Sequence, residues 1–463
     1  MSNESKSVAV PEENKMGVMP VGRLLFSMSL PMMLSMLVQA LYNIVDSIFV
    51  AKLSEDALSA VSLAFPLQTL IFAVGGGTCV GVNALLSRAL GEKDFKKAND
   101  VAMNGAFLTV LSYVVFLILG LTVVKPFYVG QLNGTSSPIY GMGVDYLSTV
   151  MIFSIGVFCQ MYFERLLTST GKTVYTMLSQ LTGAVINIIL DPILIFGLLG
   201  APAMGVTGAA VATVIGQCGA AILSAAFNVK FNHEVDLKIK GFRPSAKIIG
   251  PIYAIGIPSI IMQSIGSVMT YCMNRILIGF SSTATAVFGV YFKLQSFFFM
   301  PLFGLNNGIT PIIAYNYGAQ KKHRMIKTIK MSLVVSFCLT FVGFLGFELI
   351  PDKLLGLFAA SPAMITIGVP ALRIIGIHFL IAWFCIIAGT VFQSLGKAVY
   401  SMVVSVMRQL VVLVPAAYLL AHFGGLHATW WSFPIAESMS LAVSTIFLMR
   451  IYKKIIKPLP DKE

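Results

Sequence analysis

The chain has 463 residues, of which 57% are hydrophobic and 11% charged, against about 25% charged residues in a soluble domain. That balance excludes a water-soluble fold, and the short polar connections between apolar runs leave no room for a soluble catalytic domain. The excess of 32 Lys and Arg over 19 Asp and Glu, +13 in all, reads as membrane topology and not as nucleic-acid binding.

The tail, residues 1–19, is polar and carries Glu4, Glu12 and Glu13, without the charged-then-apolar pattern of a cleaved signal. The first charge-poor run, 24–50, has 27 residues, enough to cross a hydrocarbon core about 30 Å thick as a helix. Similar runs follow at 57–87, 101–124, 146–163, 173–199 and 203–229, then at 248–280, 282–317, 331–347, 363–392, 398–421 and 426–449. Backbone polar groups must be paired in lipid, and runs of this length suit helices and not the shorter alternating strands of a barrel. The expected fold is all-α and integral to the membrane, with twelve transmembrane helices. The expected organisation is a tail (1–22), a first lobe (23–229), a linker (230–247), a second lobe (248–449) and a C-terminal tail (450–463).

Basic residues sort by connection. Lys6, Lys15 and Arg23 precede the first span; Arg88, Lys93, Lys96 and Lys97 follow the second, and Arg165 and Lys172 follow the fourth. Lys230, Lys238, Lys240, Arg243 and Lys247 fill the linker, and Lys321, Lys322, Arg324, Lys327 and Lys330 follow the eighth span. Lys397, Arg450, Lys453, Lys454, Lys457 and Lys462 complete that side, against Lys52, Lys125 and Lys353 on the other. The bias places both termini and every even-numbered connection in the cytoplasm of a bacterial-type cell, with the protein in its inner (plasma) membrane.

The halves repeat. Pro31 recurs as Pro258, Phe65-Pro66-Leu67-Gln68 as Phe292-Lys293-Leu294-Gln295, and Phe72, Gly77, Gly81 and Gly91 as Phe299, Gly304, Gly308 and Gly318, all 227 residues on. Ser169-Thr170-Gly171-Lys172-Thr173-Val174-Tyr175 returns as Ser394-Leu395-Gly396-Lys397-Ala398-Val399-Tyr400, and Gly205 as Gly425. Each half has an even number of spans, so two homologous six-helix bundles are expected, related by a pseudo-two-fold axis along the membrane normal, with a cavity between them.

Several segments together resemble the multidrug and toxic compound extrusion (MATE) family of secondary antiporters over nearly the whole chain. They are Asn43-Ile44-Val45-Asp46-Ser47, the Gly171-Lys172 turn, Asn187-Ile188-Ile189-Leu190-Asp191-Pro192, Gly205-Val206-Thr207-Gly208-Ala209-Ala210-Val211-Ala212-Thr213, and Pro311-Ile312-Ile313-Ala314-Tyr315-Asn316-Tyr317-Gly318. The resemblance implies two six-helix lobes, a central chamber, and export driven by sodium or proton entry. It also implies that Asp46, Asn187, Asp191 and Thr213 form a first-lobe cation site, holding sodium on Asp46, Asn187 and Asp191 if sodium is the coupling ion. The NorM-like branch uses acids in the seventh and tenth spans, where this chain has Asn274-Arg275 and Arg373. The pattern is closer to the DinF-like and MepA-like branches.

Ionisable groups inside the membrane cost at least about 2.5–3.5 kcal/mol each on insertion scales, so they are functional candidates. The first lobe holds Asp46 and Asp191 without a base inside its spans; the second holds Arg275, Lys293, Arg373 and Arg408 with one acid, Glu437. Asn187 and Asp191 are four residues apart and share a helix face, and Pro192 frees a carbonyl one turn earlier. The cluster suits a hard cation or a proton, so the coupling ion is left open between Na+ and H+. Gln39 and Asn43 lie on the Asp46 face of the first span and are expected to line the path to it. Lys293, about 16 Å into its span at helical rise, needs an acid or water: Glu437 in its own lobe is the favoured partner, with Asp46 or Asp191 across the chamber as alternatives and Arg408 as a rival for Glu437. Phe292, Gln295, Phe299, Met300 and Gln68 are further substrate-contact candidates.

The six cysteines, Cys79, Cys159, Cys218, Cys272, Cys338 and Cys385, lie in apolar runs without metal spacing and are expected to be buried and unpaired. Of the five histidines only His378 is expected in the core. The predicted function is a cation-coupled antiporter of small amphipathic, often cationic, compounds, monomeric in lipid, with no nucleic-acid partner and no cofactor beyond the coupling ion. A lipid-linked saccharide flippase using the second-lobe bases is the alternative; an integral membrane enzyme lacks the clustered nucleophiles, acids or metal ligands it needs.

Overall fold

The computed structural model describes residues 13–132, 134–237, 242–358 and 360–461. Glu4, Lys6, Glu12, Lys238, Lys240 and Lys462 lie outside the described residues. Among the described residues, ten single helices are long and apolar enough to cross a membrane, and two bent pairs, each counted as one span, bring the number to twelve. The first six are Val21–Ala51, Glu55–Gly91, Phe95–Thr122, Pro138–Ile152 with Ile155–Ser169, Thr173–Phe196 and Val206–Phe231; the second six are Ala246–Ile278, Ser282–Gly318, Lys322–Leu349, Pro362–Gly376 with Phe379–Ser394, a span from Ala398 to Thr429, and Ser432–Ile451.

The fourth and tenth spans, expected as single runs, are bent by 42° and 49°. The breaks fall at Phe153–Ser154 and Ile377–His378, where no charged residue marks a boundary. The fourth span also runs past the expected end at residue 163 to Ser169, so Arg165 belongs to the helix and not to a connection. The eleventh span continues to Thr429, widening into a π segment at Met407–Leu413 and passing through Gly425 at φ 70°. Cys79 and Cys385 are buried, whereas Cys338 is exposed on the outer face of its span.

The repeat governs local structure as well. The second and eighth spans are both capped by a serine, Ser54 Oγ accepting from Ala57 N and Ser281 Oγ from Ala284 N, each at 3.0 Å, which pairs a backbone donor that a helix start leaves free. Lys93 and Gln320, 227 residues apart, share φ 58° in equivalent turns. Gly171 and Gly396, at φ 84° and 74°, occupy left-handed positions that other residues adopt only with strain.

The lobes meet along the half of the molecule that carries the termini. A Cβ at Gly91 would stand 2.0 Å from the Tyr315 carbonyl oxygen, and one at Gly318 2.2 Å from the Arg88 carbonyl oxygen. Gly304 lies against Met33 and Gly77 against Ile260 in the same manner. Each contact is the 227-residue image of the other, because both lobes present the same face. Close backbone approach through small residues is how helices associate where lipid competes for apolar surface.

A strap crosses this seam. Residues 13–19 fold back around the short helix Lys15–Val18, with Met16 fully buried. On the first-lobe side Asn14 Nδ2 donates to the Thr170 carbonyl (3.1 Å) and to Glu234 Oε2 (2.7 Å). On the second-lobe side Arg324 Nη2 donates to the carbonyls of Met16 (3.1 Å) and Met19 (2.6 Å), and Asn316 Nδ2 to Met16 (3.1 Å). Lys321 donates to Glu13 Oε1 and holds its carboxyl below the usual glutamate range.

Two outcomes follow from the seam. Gly91→Ala forces the lobes apart, so spin labels at the exposed positions Lys96 and Lys327 report longer distances than in the parent protein; an unchanged distribution contradicts the contact. Arg324→Ala removes two charge-assisted bonds to the strap, each about 1.5–3 kcal/mol, and raises amide hydrogen exchange over residues 14–19 by about tenfold or more.

Candidate functional site

The first lobe encloses a cavity of about 530 Å³ lined by its first, second, fourth, fifth and sixth spans, with Asn307 of the eighth at its base. Asp46, from the first span, and Asn187 and Thr213, from the fifth and sixth, share one wall. Asp191, one turn beyond Asn187, is fully buried behind that wall. The Asp46 and Asp191 carboxyl groups are close neighbours. In the amide orientation that satisfies its neighbours, Asn187 Nδ2 donates to Asp191 Oδ2 (2.8 Å), and Asn187 Oδ1 accepts from Thr213 Oγ1 (3.2 Å) and Thr213 N (3.0 Å). The Tyr42 hydroxyl lies 3.5 Å from Thr213 Oγ1. Asp46 Oδ1 and Asp191 Oδ1 are buried without a hydrogen-bond partner. Among the described residues, no Lys, Arg or His forms an ion pair with either acid. The cluster therefore offers carboxylate, amide and hydroxyl oxygens within one small volume, a donor set for a hard cation, and a carboxyl pair able to share a proton.

Gln39, Asn43 and Gln68 line the same cavity, and Gln68 Nε2 donates to the buried Tyr146 hydroxyl at 2.9 Å. The other predicted contact residues divide. Phe292, Gln295, Phe299 and Glu437 line a separate cavity of about 230 Å³ inside the second lobe. Met300 lines neither cavity. Lys293 is exposed, and its ammonium lies 6.0 Å from the Phe358 ring centroid in the connection between the ninth and tenth spans. The partner expected for Lys293 is taken: Glu437 Oε2 accepts from Arg408 Nη1 at 3.2 Å. The lysine stem instead carries its charge toward the span end, the snorkelling that depth along the helix had argued against. Arg275 and Arg373 are also exposed, so the second-lobe bases do not converge.

Sequence reasoning passed over the base of the first cavity. Glu164, 6% exposed, accepts from Gln160 Nε2 (2.9 Å) and Gln180 Nε2 (2.7 Å). Arg165 Nη1 reaches across the seam to Asn307 Oδ1 at 2.8 Å. Both follow the last residue of the predicted fourth span and so were read as connection. The i, i+4 spacing of Gln160 and Glu164 was the available signal.

Comparison with known proteins agrees with this architecture. The MatE family model matches residues 31–193 and again 258–419, with starting points separated by the repeat spacing. The Multidrug export protein MepA of Staphylococcus aureus is 28% identical over 440 residues, covering 93% of this chain and 94% of that protein. The protein of the same name from Staphylococcus saprophyticus is 26% identical over 429 residues, covering 91% and 92%. A solved structure of the outward-facing conformation of a multidrug resistance MATE family transporter of the MOP superfamily superposes with a TM-score of 0.89 at 24% identity, over 96% of this chain and 99% of that one. Twelve spans in two repeated lobes, each lobe matched by the same family model, make this chain a member of the MatE family, membrane transporters and not enzymes.

Proposed function

We propose that the chain is a cation-coupled antiporter, using sodium or protons, that exports amphipathic, often cationic compounds by alternating access. The observation that carries this reading is the Asp46–Asp191 pair: two neighbouring carboxyl groups, each with one buried oxygen unpartnered, and, among the described residues, no base in ion-pair contact with either. Two carboxylates in contact cannot both remain charged without a counter-ion, so a proton or a sodium ion is the natural third member. The name of the staphylococcal relatives, Multidrug export protein, supports the direction of transport.

The first cavity suits the cargo. Its volume lies within the range of about 300–1,000 Å³ common to small-molecule sites. Met32, Met36 and Met161 give it adaptable walls, Tyr42, Phe65 and Phe72 give it aromatic faces for organic cations, and Gln39, Asn43 and Gln68 give it hydrogen bonds. With both termini in the cytoplasm, the glycine seam and the strap close the cytoplasmic side.

Coupling follows from shared parts. A cation entering between Asp46 and Asp191 draws both carboxyl groups onto itself and shifts the first span against the fifth. The first span also packs on the eighth, where Gly308 meets Ser29. A shift at the acid pair is thus transmitted to the seam, and cargo lying beside Asn43 and Gln68 experiences the same movement.

Asp191→Asn keeps the size of the side chain and removes the exchangeable charge. In proteoliposomes it abolishes gradient-driven efflux of an organic cation such as ethidium while the protein still inserts and folds. In the parent protein an imposed sodium gradient or an imposed pH gradient drives that efflux, and the effective one identifies the ion. Undiminished efflux by the variant, or efflux indifferent to both gradients, contradicts the reading.

A further inference from the structure

The cavity in the second lobe has no part in the antiport scheme. Its polar end is built by the eleventh and twelfth spans. Arg408 sits in the π segment Met407–Leu413, a local widening of the helix that recurs at functional sites. Glu437, 3% exposed, receives one hydrogen bond from it, Nη1 to Oε2 at 3.2 Å. A bracing Arg–carboxylate pair uses both forks; this one uses a single nitrogen and a single oxygen. Among the described residues the guanidinium makes no other hydrogen bond, and Glu437 Oε1 has none, with only the weak thiol donor of Cys385 beside it. The fully buried Tyr291 hydroxyl is unpartnered too.

Free N–H donors and a free carboxylate oxygen therefore stand side by side on one wall, and the wall carries no net charge. Phe292, Phe299 and Phe433 also line the cavity, with Phe299 stacked on the His378 ring at 6.1 Å and 17°. A cation alone leaves Arg408 unmatched and an anion alone leaves Glu437 unmatched. At about 230 Å³ the space is below the usual drug-site range and suits a ligand of amino-acid size.

We infer that this cavity binds a small aromatic zwitterion. Its carboxylate takes the free N–H groups of Arg408, its ammonium takes Glu437 Oε1 and the Tyr291 hydroxyl, and its ring packs among the phenylalanines. The site is independent of Asp46 and Asp191, which lie in the other lobe.

The test is equilibrium binding to the full chain in lipid nanodiscs with three probes: phenylalanine, phenethylamine, which lacks the carboxylate, and 3-phenylpropanoate, which lacks the ammonium. Phenylalanine binds at least about tenfold more tightly than either single-charge probe, a difference of about 1.4 kcal/mol. Arg408→Gln removes its advantage over phenethylamine, Glu437→Gln removes its advantage over 3-phenylpropanoate, and Asp191→Asn changes neither. The proposal is overturned if none of the three binds, if phenethylamine or 3-phenylpropanoate matches phenylalanine on the parent protein, or if Asp191→Asn abolishes phenylalanine binding. The parent-protein comparison stands even where a variant fails to insert.

Discussion

A carboxyl pair without a base is the constraint on which the molecule turns. Asp46 and Asp191 come from the first and fifth spans, are close neighbours, and lie among apolar helices. Water satisfies an isolated carboxylate; a protein interior does so only with donors or a counter-ion. Asn187 supplies one amide donor to Asp191, too little for two full charges. The second lobe shows the other solution, where Glu437 is answered by Arg408 within the same protein. One acid has a basic partner within the protein, and in the proposed scheme the coupling cation is the partner of the other two.

The repeat explains how such a site can move two lobes. Gly91 on Tyr315 and Gly318 on Arg88 are the same contact made twice about a pseudo-two-fold axis, and the family model accordingly matches the chain twice. Symmetric close contacts of this kind are short-range: a small displacement of a helix either preserves both or breaks both. The first span belongs to the acid pair at one end and to the seam at the other, through Asp46 and Ser29. In the proposed scheme this one span carries both the acid pair and part of the seam, with Pro31 between Ser29 and Asp46. The strap at residues 13–19 adds hydrogen bonds across the same seam from both lobes.

Much of this was legible in the residues because lipid makes strong demands. Twelve spans follow from hydropathy, and the internal repeat located in advance the glycines that later proved to be turns at Gly171 and Gly396 or contacts at Gly91 and Gly318. Asp46, Asn187, Asp191 and Thr213, picked out through a family resemblance, do come together in one cluster. What was illegible depended on rotation about the helix axis. Lys293 faces outward and Gln295, two residues on, faces inward, and apolar runs on all sides give no hydrophobic stripe from which to tell the two apart. Bends at Phe153–Ser154 and Ile377–His378 lack a proline at the break, so composition could not announce them. Glu164 and Arg165 were missed because the predicted fourth run closes at residue 163, whereas the helix carries on to Ser169.

The most direct measurement is infrared difference spectroscopy of the protonated-carboxyl band, recorded on the lipid-reconstituted chain as the coupling cation or an exported organic cation is added. The account predicts loss of one protonated-carboxyl signal on addition of sodium or the organic cation, or its gain as the pH falls if the proton is the coupling ion, a signal missing from Asp46→Asn and from Asp191→Asn alike. A carboxyl band that neither ligand perturbs, or one that survives both substitutions, contradicts it.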